Sequence, residues 1–192
     1  SLNYIKKNRL KNFEVIKNLK NFGQGGSHKV AFEYTLKNNC DYCLVYHGDD
    51  QANINDFKLI IKKNIYFKHD ALLGARFLKE SKLINYQFYR IFGNFIFNLL
   101  FSLVSNYKIY DLGSGLNIYG KNVISDTSVK HIDNEMGFNY QNLLLMIERK
   151  RNIKFVPITW KSDNEESNVQ IISQTLKVLK IVLLYFVKNN YY

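Results

Sequence analysis

Two carboxylates and an amide stand side by side in the stretch CLVYHGDDQAN, at Asp49, Asp50 and Gln51. Adjacent carboxylates repel unless a cation or solvent relieves them. The run before them, DYCLVYHG, reads as a buried strand that ends at Gly48. In extended backbone Asp49 and Gln51 point one way and Asp50 the other. An all-oxygen pair of that kind suits Mg²⁺ or Mn²⁺, which take few protein ligands and complete their shell with water and phosphate oxygens. One reading is therefore a metal that bridges a diphosphate. The other is a solvated turn whose Asp and Asn residues cap the next helix. The local segment does not separate the two.

Strand-like and helix-like segments alternate around this turn, which predicts an α/β layered sheet. NFEVI opens with a short strand-like run, Phe13 to Ile16, before a glycine cluster at Gly23, Gly25 and Gly26. Ser27 is placed to cap the following helix, with Lys29 in its first turn, where anions bind, and Val30 and Tyr34 on one face. NINDFKLIIKKN reads as a short helix capped near Asn53 or Asn55, and YFKHDALLGAR as a strand entering a Gly-Ala-Arg corner. NYQFYRIFGNFIFNLLFSLVSN is a long aromatic helix, expected in the core, with a lipid groove as the alternative. KIYDLGSGLNIYGKNVI is a glycine-containing loop and a short strand. GFNYQNLLLMIERKRN is an amphipathic helix with a basic end. IKFVPITW is a strand whose proline, Pro157, favours a sheet edge or strand end. The tail NVQIISQTLKVLKIVLLYFVKNNYY is a long amphipathic helix. Its lysines and tyrosines suit a membrane surface, and equally a helix packed on the domain or a partner. One domain over 1–170 with a tail helix over 171–192 is the simplest organisation.

The chain has 192 residues, 46% of them hydrophobic, enough for one sizeable core. Its formal net charge of +11 implies an anionic partner, or simply an abundance of lysine. Dispersed basic residues without a recognition motif argue against nucleic acid. Cys40 and Cys43 form a C-x-x-C with no second pair, so buried reduced thiols are expected rather than a zinc site.

The turn HGDDQ resembles the metal-binding motif of family 2 glycosyltransferases of the GT-A fold, in particular the dolichyl-phosphate-mannosyltransferase-like branch. Asp49 and Gln51 fall on its acidic and amide positions, His47 replaces its first acid, and Asp50 is at a variable position. Further segments are similar in the same order: NFGQGGSHKVAFEYTLKNNCDY to the glycine-rich turn and helix, LLGARF to Gly-Ser-Arg with Ala75 in place of Ser, and Arg90 to a second arginine. DLGSGLNIY is similar to Asp-x-x-Ser-Gly, and FVPITWKSDNEESNV to a late strand and basic loop. The likeness covers about residues 12–175. It implies a GT-A mixed sheet flanked by helices, with the first βα unit and its part of the nucleoside pocket missing.

The resemblance also implies roles. Asp49 and Gln51 would hold Mg²⁺ or Mn²⁺ on the departing diphosphate, whose charge needs a metal or fixed cations. Arg76 and Arg90 would clamp phosphates of donor or acceptor; the plainer alternatives are a strand-end salt bridge for Arg76 and a solvated helix face for Arg90. Asp111 is the candidate catalytic residue, a general base toward a sugar hydroxyl; toward a lipid phosphate, already an anion, it would only position. Ser114 and Gly115 would border the acceptor, and Lys161, in a polar loop, would contact phosphate.

The implied activity is a metal-dependent inverting transfer from a UDP- or GDP-sugar to a lipid phosphate or surface glycan, at the cytoplasmic face of a membrane. The alternative is a catalytically inactive GT-A-like module for binding or assembly, which the missing unit favours. His28, His69 and His131 show no metal spacing and receive no role.

Overall fold

The computed structural model describes residues 14–162 and 171–191. In chain order the elements are α1 (Gly23–Lys37), β1 (Tyr42–Tyr46), α2 (Lys58–Lys62), β2 (Ala71–Ala75), β3 (Lys82–Ile84) and α3 (Phe88–Ser105). They continue with β4 (Leu116–Gly120), α4 (Lys121–Ile124), α5 (Gly137–Glu148), β5 (Ile153–Pro157), β6 (Thr159–Lys161) and α6 (Ile171–Tyr191). Short 3₁₀ turns at Ile54–Phe57, Ile65–Lys68 and Thr127–His131 link them. The protein is thus a mixed α/β domain whose mixed sheet is flanked by helices.

The main sheet has four strands in the order β1-β4-β2-β5. β4 runs antiparallel to both neighbours, and β2 pairs with β5 in parallel. β3 and β6 form a separate parallel pair. Strand geometry sends alternate side chains to opposite faces, and β2 shows the result: Ala71 and Leu73 join the core under the helices, while Leu72 joins the core on the other face. The helical side holds Phe32 of α1, Phe101 of α3, Phe138 and Leu143 of α5, and Val178 and Tyr185 of α6. The other side is built on Phe57, Ile60, Leu116, Ile158 and Trp160. Both faces of β2 are covered, which explains why ALLGA contains no polar residue.

Several expected boundaries move, each for a tertiary reason. The glycine cluster forms the first turn of α1, and Phe22, not Ser27, is its cap residue. Ser27 lies inside the helix and its hydroxyl donates to the Gly23 carbonyl. The glycines are there because the turn runs against the segment before α5: a Cβ on Gly25 would stand 2.5 Å from the Asp133 carbonyl oxygen. Glu14 to Ile16 belong to no strand, and Phe13 lies outside the described residues. The strand expected from Tyr66 starts only at Ala71, after the Ile65–Lys68 turn. IKFVPITW is two strands: Pro157 closes β5 at the sheet edge, and the chain after Ile158 joins the second sheet as β6. Lys161, expected in a loop, is therefore the last residue of a strand; the polar loop beyond it, 163–170, lies outside the described residues. Cys43 is buried as expected but Cys40 is exposed, and both are free thiols. The aromatic helix α3 buries Asn98 and Phe101 yet leaves Phe88, Phe92 and Phe95 in solvent, because only one of its sides has a partner among the described residues.

Candidate functional site

The register of the sheet gathers the candidate residues at one edge. β1, β2 and β5 run in the same direction, each related to β4 directly or through β2. Their carboxyl ends therefore share an edge with the start of β4, the place where open α/β sheets bind ligands. Tyr46 pairs with Leu116, so the chain leaving β1 meets the chain entering β4. The His47 N–H donates to the Gly115 carbonyl at 2.8 Å. Gly115 is required there: a Cβ would lie 2.7 Å from the His47 ring. Ser114 is buried, its hydroxyl turned to the Leu116 carbonyl.

The turn after β1 is not extended. Asp50 has φ 55°, in the left-handed region. The Gln51 N–H donates to Asp49 Oδ1 at 3.3 Å, an Asx turn that sets the Asp49 side chain by local hydrogen bonding rather than by strand alternation. Asp50 is drawn back to β1, where the Tyr46 hydroxyl donates to its carboxylate. That bond, with a smaller contribution from burial, pushes the Tyr46 phenol up to about 12. The repulsion between the two carboxylates is thus relieved by separating them. Asp49 remains exposed, with no ion-pair partner among the described residues. The turn is stitched to β6: the Lys161 N–H donates to the Gln51 carbonyl at 2.8 Å, the Asn53 N–H donates to the Thr159 carbonyl at 3.0 Å, and Ala52 bridges Trp160. Lys161, far away in sequence, is brought to Gln51. Asn53 caps the next turn by accepting from the Asn55 N–H, as its position predicts.

Behind this rim lies a buried ion pair. Arg76, which follows β2, donates from Nε to Asp111 Oδ2 at 2.8 Å and from Nη2 to Oδ1 at 2.7 Å. The Arg76 N–H adds a bond to Oδ2 at 2.8 Å, and the Gly113 N–H one to Oδ1 at 3.1 Å. The Asp111 side chain is wholly buried and that of Arg76 is 11% exposed. Nη2 also donates to the Gly113 carbonyl, and Nη1 to the Tyr86 hydroxyl. Phe77, Tyr86 and Trp160 surround the guanidinium, the Trp160 ring centroid 5.1 Å from Cζ. Burial alone would lower the Arg76 pKa; the charge and hydrogen bonds of Asp111 more than reverse that, so the cation is locked in. With both oxygens accepting, Asp111 can act as a base only if this pair opens. Arg90, in the first turn of α3, is apart from the cage. Its guanidinium lies 6.0 Å from the Tyr89 ring, and its carbonyl accepts from Asn94, whose Oδ1 is 3.4 Å from Arg76 Nη2.

Sequence reasoning missed three contributors. Asn117 on β4 accepts from the Gly74 N–H at 3.1 Å and donates to the Ser114 carbonyl at 3.0 Å, which ties the Asp111–Gly115 loop to β2. Trp160 joins the acidic turn to Arg76, bridging Ala52 on one side and lying over the guanidinium on the other. His28 lines a cleft of about 340 Å³ between α1 and the end of β1, with Gln24, Ser27, Tyr46 and His47. Its Nδ1–H donates to the Gln24 carbonyl at 2.9 Å, so Nε2 is the lone-pair nitrogen and has no partner among the described residues. Burial lowers the pKa of both His28 and His47. The only trace in the sequence is the spacing of Gln24 and His28, four apart on one helical face. Lys29, whose position suits either an anion or plain solvent, does neither: it donates to the Lys130 carbonyl at 3.1 Å and to Asn134 Oδ1 at 2.7 Å.

Among the described residues no three His, Cys, Asp or Glu side chains converge as a metal-binding group. Asp49 with Gln51 provides one free carboxylate and one amide, a donor set that fits a cation completing its shell with water and phosphate oxygens.

No family model matches the chain. Over 148 residues it is 23% identical to the uncharacterized protein MJ1222 of Methanocaldococcus jannaschii, an alignment that covers 75% of this chain and 59% of that relative. The chain thus spans about three fifths of the relative's length.

Proposed function

We propose that this chain carries part of a GT-A glycosyltransferase of the family 2 type, which transfers a sugar with inversion from a UDP- or GDP-sugar to an anionic lipid phosphate or a surface glycan. The observation that carries this reading is the convergence, at the carboxyl ends of β1, β2 and β5, of the exposed Asp49, Gln51, the β6 end at Lys161, and the Arg76–Asp111 anchored loop. In the reaction an acceptor oxygen bonds to the anomeric carbon as its bond to the diphosphate oxygen breaks, and the nucleoside diphosphate leaves. A divalent cation held by Asp49 and Gln51 would neutralise charge on that leaving group. The Gln51 backbone is held between Asp49 and β6, its N–H donating to Asp49 and its carbonyl accepting from Lys161, which fixes the position from which its amide would reach the cation. Asp111 holds Arg76 and the glycine loop, so its work is positioning. That favours a phosphate acceptor, which is already an anion and needs no base.

The internal commitment of Arg76 also supports a second reading, a GT-A-like module that binds or assembles without catalysis. Thermal stabilisation by UDP- and GDP-sugars, measured with and without Mn²⁺, tests both. Stabilisation that needs Mn²⁺ and disappears in Asp49→Ala supports the transferase. Asp49 is exposed, so the variant should melt like the parent. No response to any nucleotide sugar, in this chain or in one extended upstream, rejects the transferase.

A further inference from the structure

The helix α3 is apolar on two sides, and one of them is already taken. Its inward stripe includes Asn94, Asn98 and Phe101: Asn98 donates to the Tyr110 carbonyl at 2.9 Å, and Phe101 is fully buried. The opposite stripe is Phe88, Phe92, Phe95, Ile96, Leu99 and Leu103, each 39–81% exposed. At 3.6 residues per turn these six fall within an arc of about 100°, with no charged residue among them. A continuous apolar face of this size in water marks an interaction surface.

The neighbouring charge indicates what covers it. α3 packs against α6. α6 turns Leu176, Leu179, Leu183 and Leu184 outward, and its exposed Lys180 falls among them at helical spacing, with Lys177 beside it. Together the two helices contain Arg90, Lys177, Lys180 and Lys188 and no acidic residue; Lys188 is already paired with Glu148 of α5, which leaves Arg90, Lys177 and Lys180 as the cations at issue. Lysines set among leucines suit a layered partner with an oily interior and an anionic skin: the stems lie along apolar surface while the ammonium groups reach the phosphates. We infer that α3, with α6 beside it, docks this protein on an anionic lipid bilayer. α3 has 18 residues, about 27 Å, and is long and apolar enough to cross a membrane. Its asparagines are bonded to the domain, however, so it lies in the plane of the headgroups with its outer face sunk into the acyl boundary. α3 begins two residues after Tyr86, whose hydroxyl meets Arg76, so the bilayer borders the candidate site. The inference stands independently of the transferase reading, because docking needs neither metal nor nucleotide.

The test is sedimentation of the full chain with vesicles of phosphatidylcholine alone or with about one third phosphatidylglycerol, in the absence of nucleotide. The parent should bind the anionic vesicles, and Phe95→Ser with Leu99→Ser should weaken that binding at least about tenfold. Both positions are exposed, so melting temperature should not change. Leu59→Ser with Phe67→Ser, equally exposed but elsewhere, should bind like the parent. Lys177→Gln with Lys180→Gln should weaken binding and flatten its salt dependence. Failure of the parent to bind any vesicle, equal losses in the control pair, or full binding by the α3 variant would overturn the inference. Self-association through α3 without vesicle binding would overturn it as well, and would assign the face to a second copy of the chain.

Discussion

Replacing Asp111 with Asn separates an anchoring role from a chemical one. The substitution keeps shape but removes the charge that faces Arg76, and it turns an acceptor of four hydrogen bonds into a group that presents N–H to N–H. The Arg76 guanidinium stays buried beneath Trp160 and Tyr86 with its countercharge gone. Breaking a buried pair in this way costs about 3–5 kcal/mol, which for a chain of this length lowers the melting temperature by about 6–20 °C. Urea denaturation followed by circular dichroism gives the free energy directly. Removing both charges, as Arg76→Met with Asp111→Leu, should recover much of the loss, because no unpaired charge remains. The reasoning is refuted if Asp111→Asn changes stability by less than about 1 kcal/mol. If such a stable variant also lost transfer activity, the carboxylate would be a chemical group after all.

Three further outcomes follow from the packing and burial of other residues. Gly74→Ala should destabilise by about 1–3 kcal/mol, since its Cβ would stand 2.6 Å from the Leu116 carbonyl oxygen and 2.7 Å from Ser114 Oγ; an unchanged urea midpoint would contradict the packing of β2 against the loop. Stability should also fall as pH drops through the region of the ordinary histidine value of 6.5. Burial holds His28 and His47 below that value, so the unfolded chain binds protons that the folded one does not. His28→Phe, in contact with Phe32 and Phe138, should shrink the difference in melting temperature between about pH 5 and pH 7.5. An unaltered difference would mean that His28 protonates freely in the fold. Asp70 acts in a lower window. Burial alone would raise it, but hydrogen bonds from Asn122 and the Asn152 N–H, with Arg151 and His69 nearby, hold it below 3.8, so its contribution is lost only under stronger acid.

What the sequence disclosed was local. The run YCLVY before an acidic turn, the Asn53 cap and the amphipathic α5 are each specified by residues within a few positions, and each stands where expected, although YCLVY, read as a buried strand, is an edge strand that buries only Cys43 and exposes Leu44. What it concealed was distant. Arg76 and Asp111 are both visible as candidates, but nothing in LLGARF shows that the guanidinium is spent on a carboxylate 35 residues later. The glycines of α1 look like a loop, because their cause is a carbonyl at Asp133 that the local pattern does not contain. The aromatic run of α3 has helical period on every side, so periodicity alone could not say which side meets the core. The proline in IKFVPITW was legible as a stop, but not as the point where the chain changes sheets.

The strand order has a consequence for how the chain is made. Among the described residues its main sheet contains no hairpin: β1 ends at Tyr46 and meets β4 only at Leu116, and β2 meets β5 only when Ile153 has emerged. Until β4 leaves the ribosome, YCLVY and ALLGA are both synthesised without the strand that joins them. β4 then joins both at once, and β5 closes the far side. Assembly therefore proceeds outward from a late strand, against the direction of synthesis. The early half depends on shielding during that interval, because long-range pairing of this kind is slow and leaves sticky edges open.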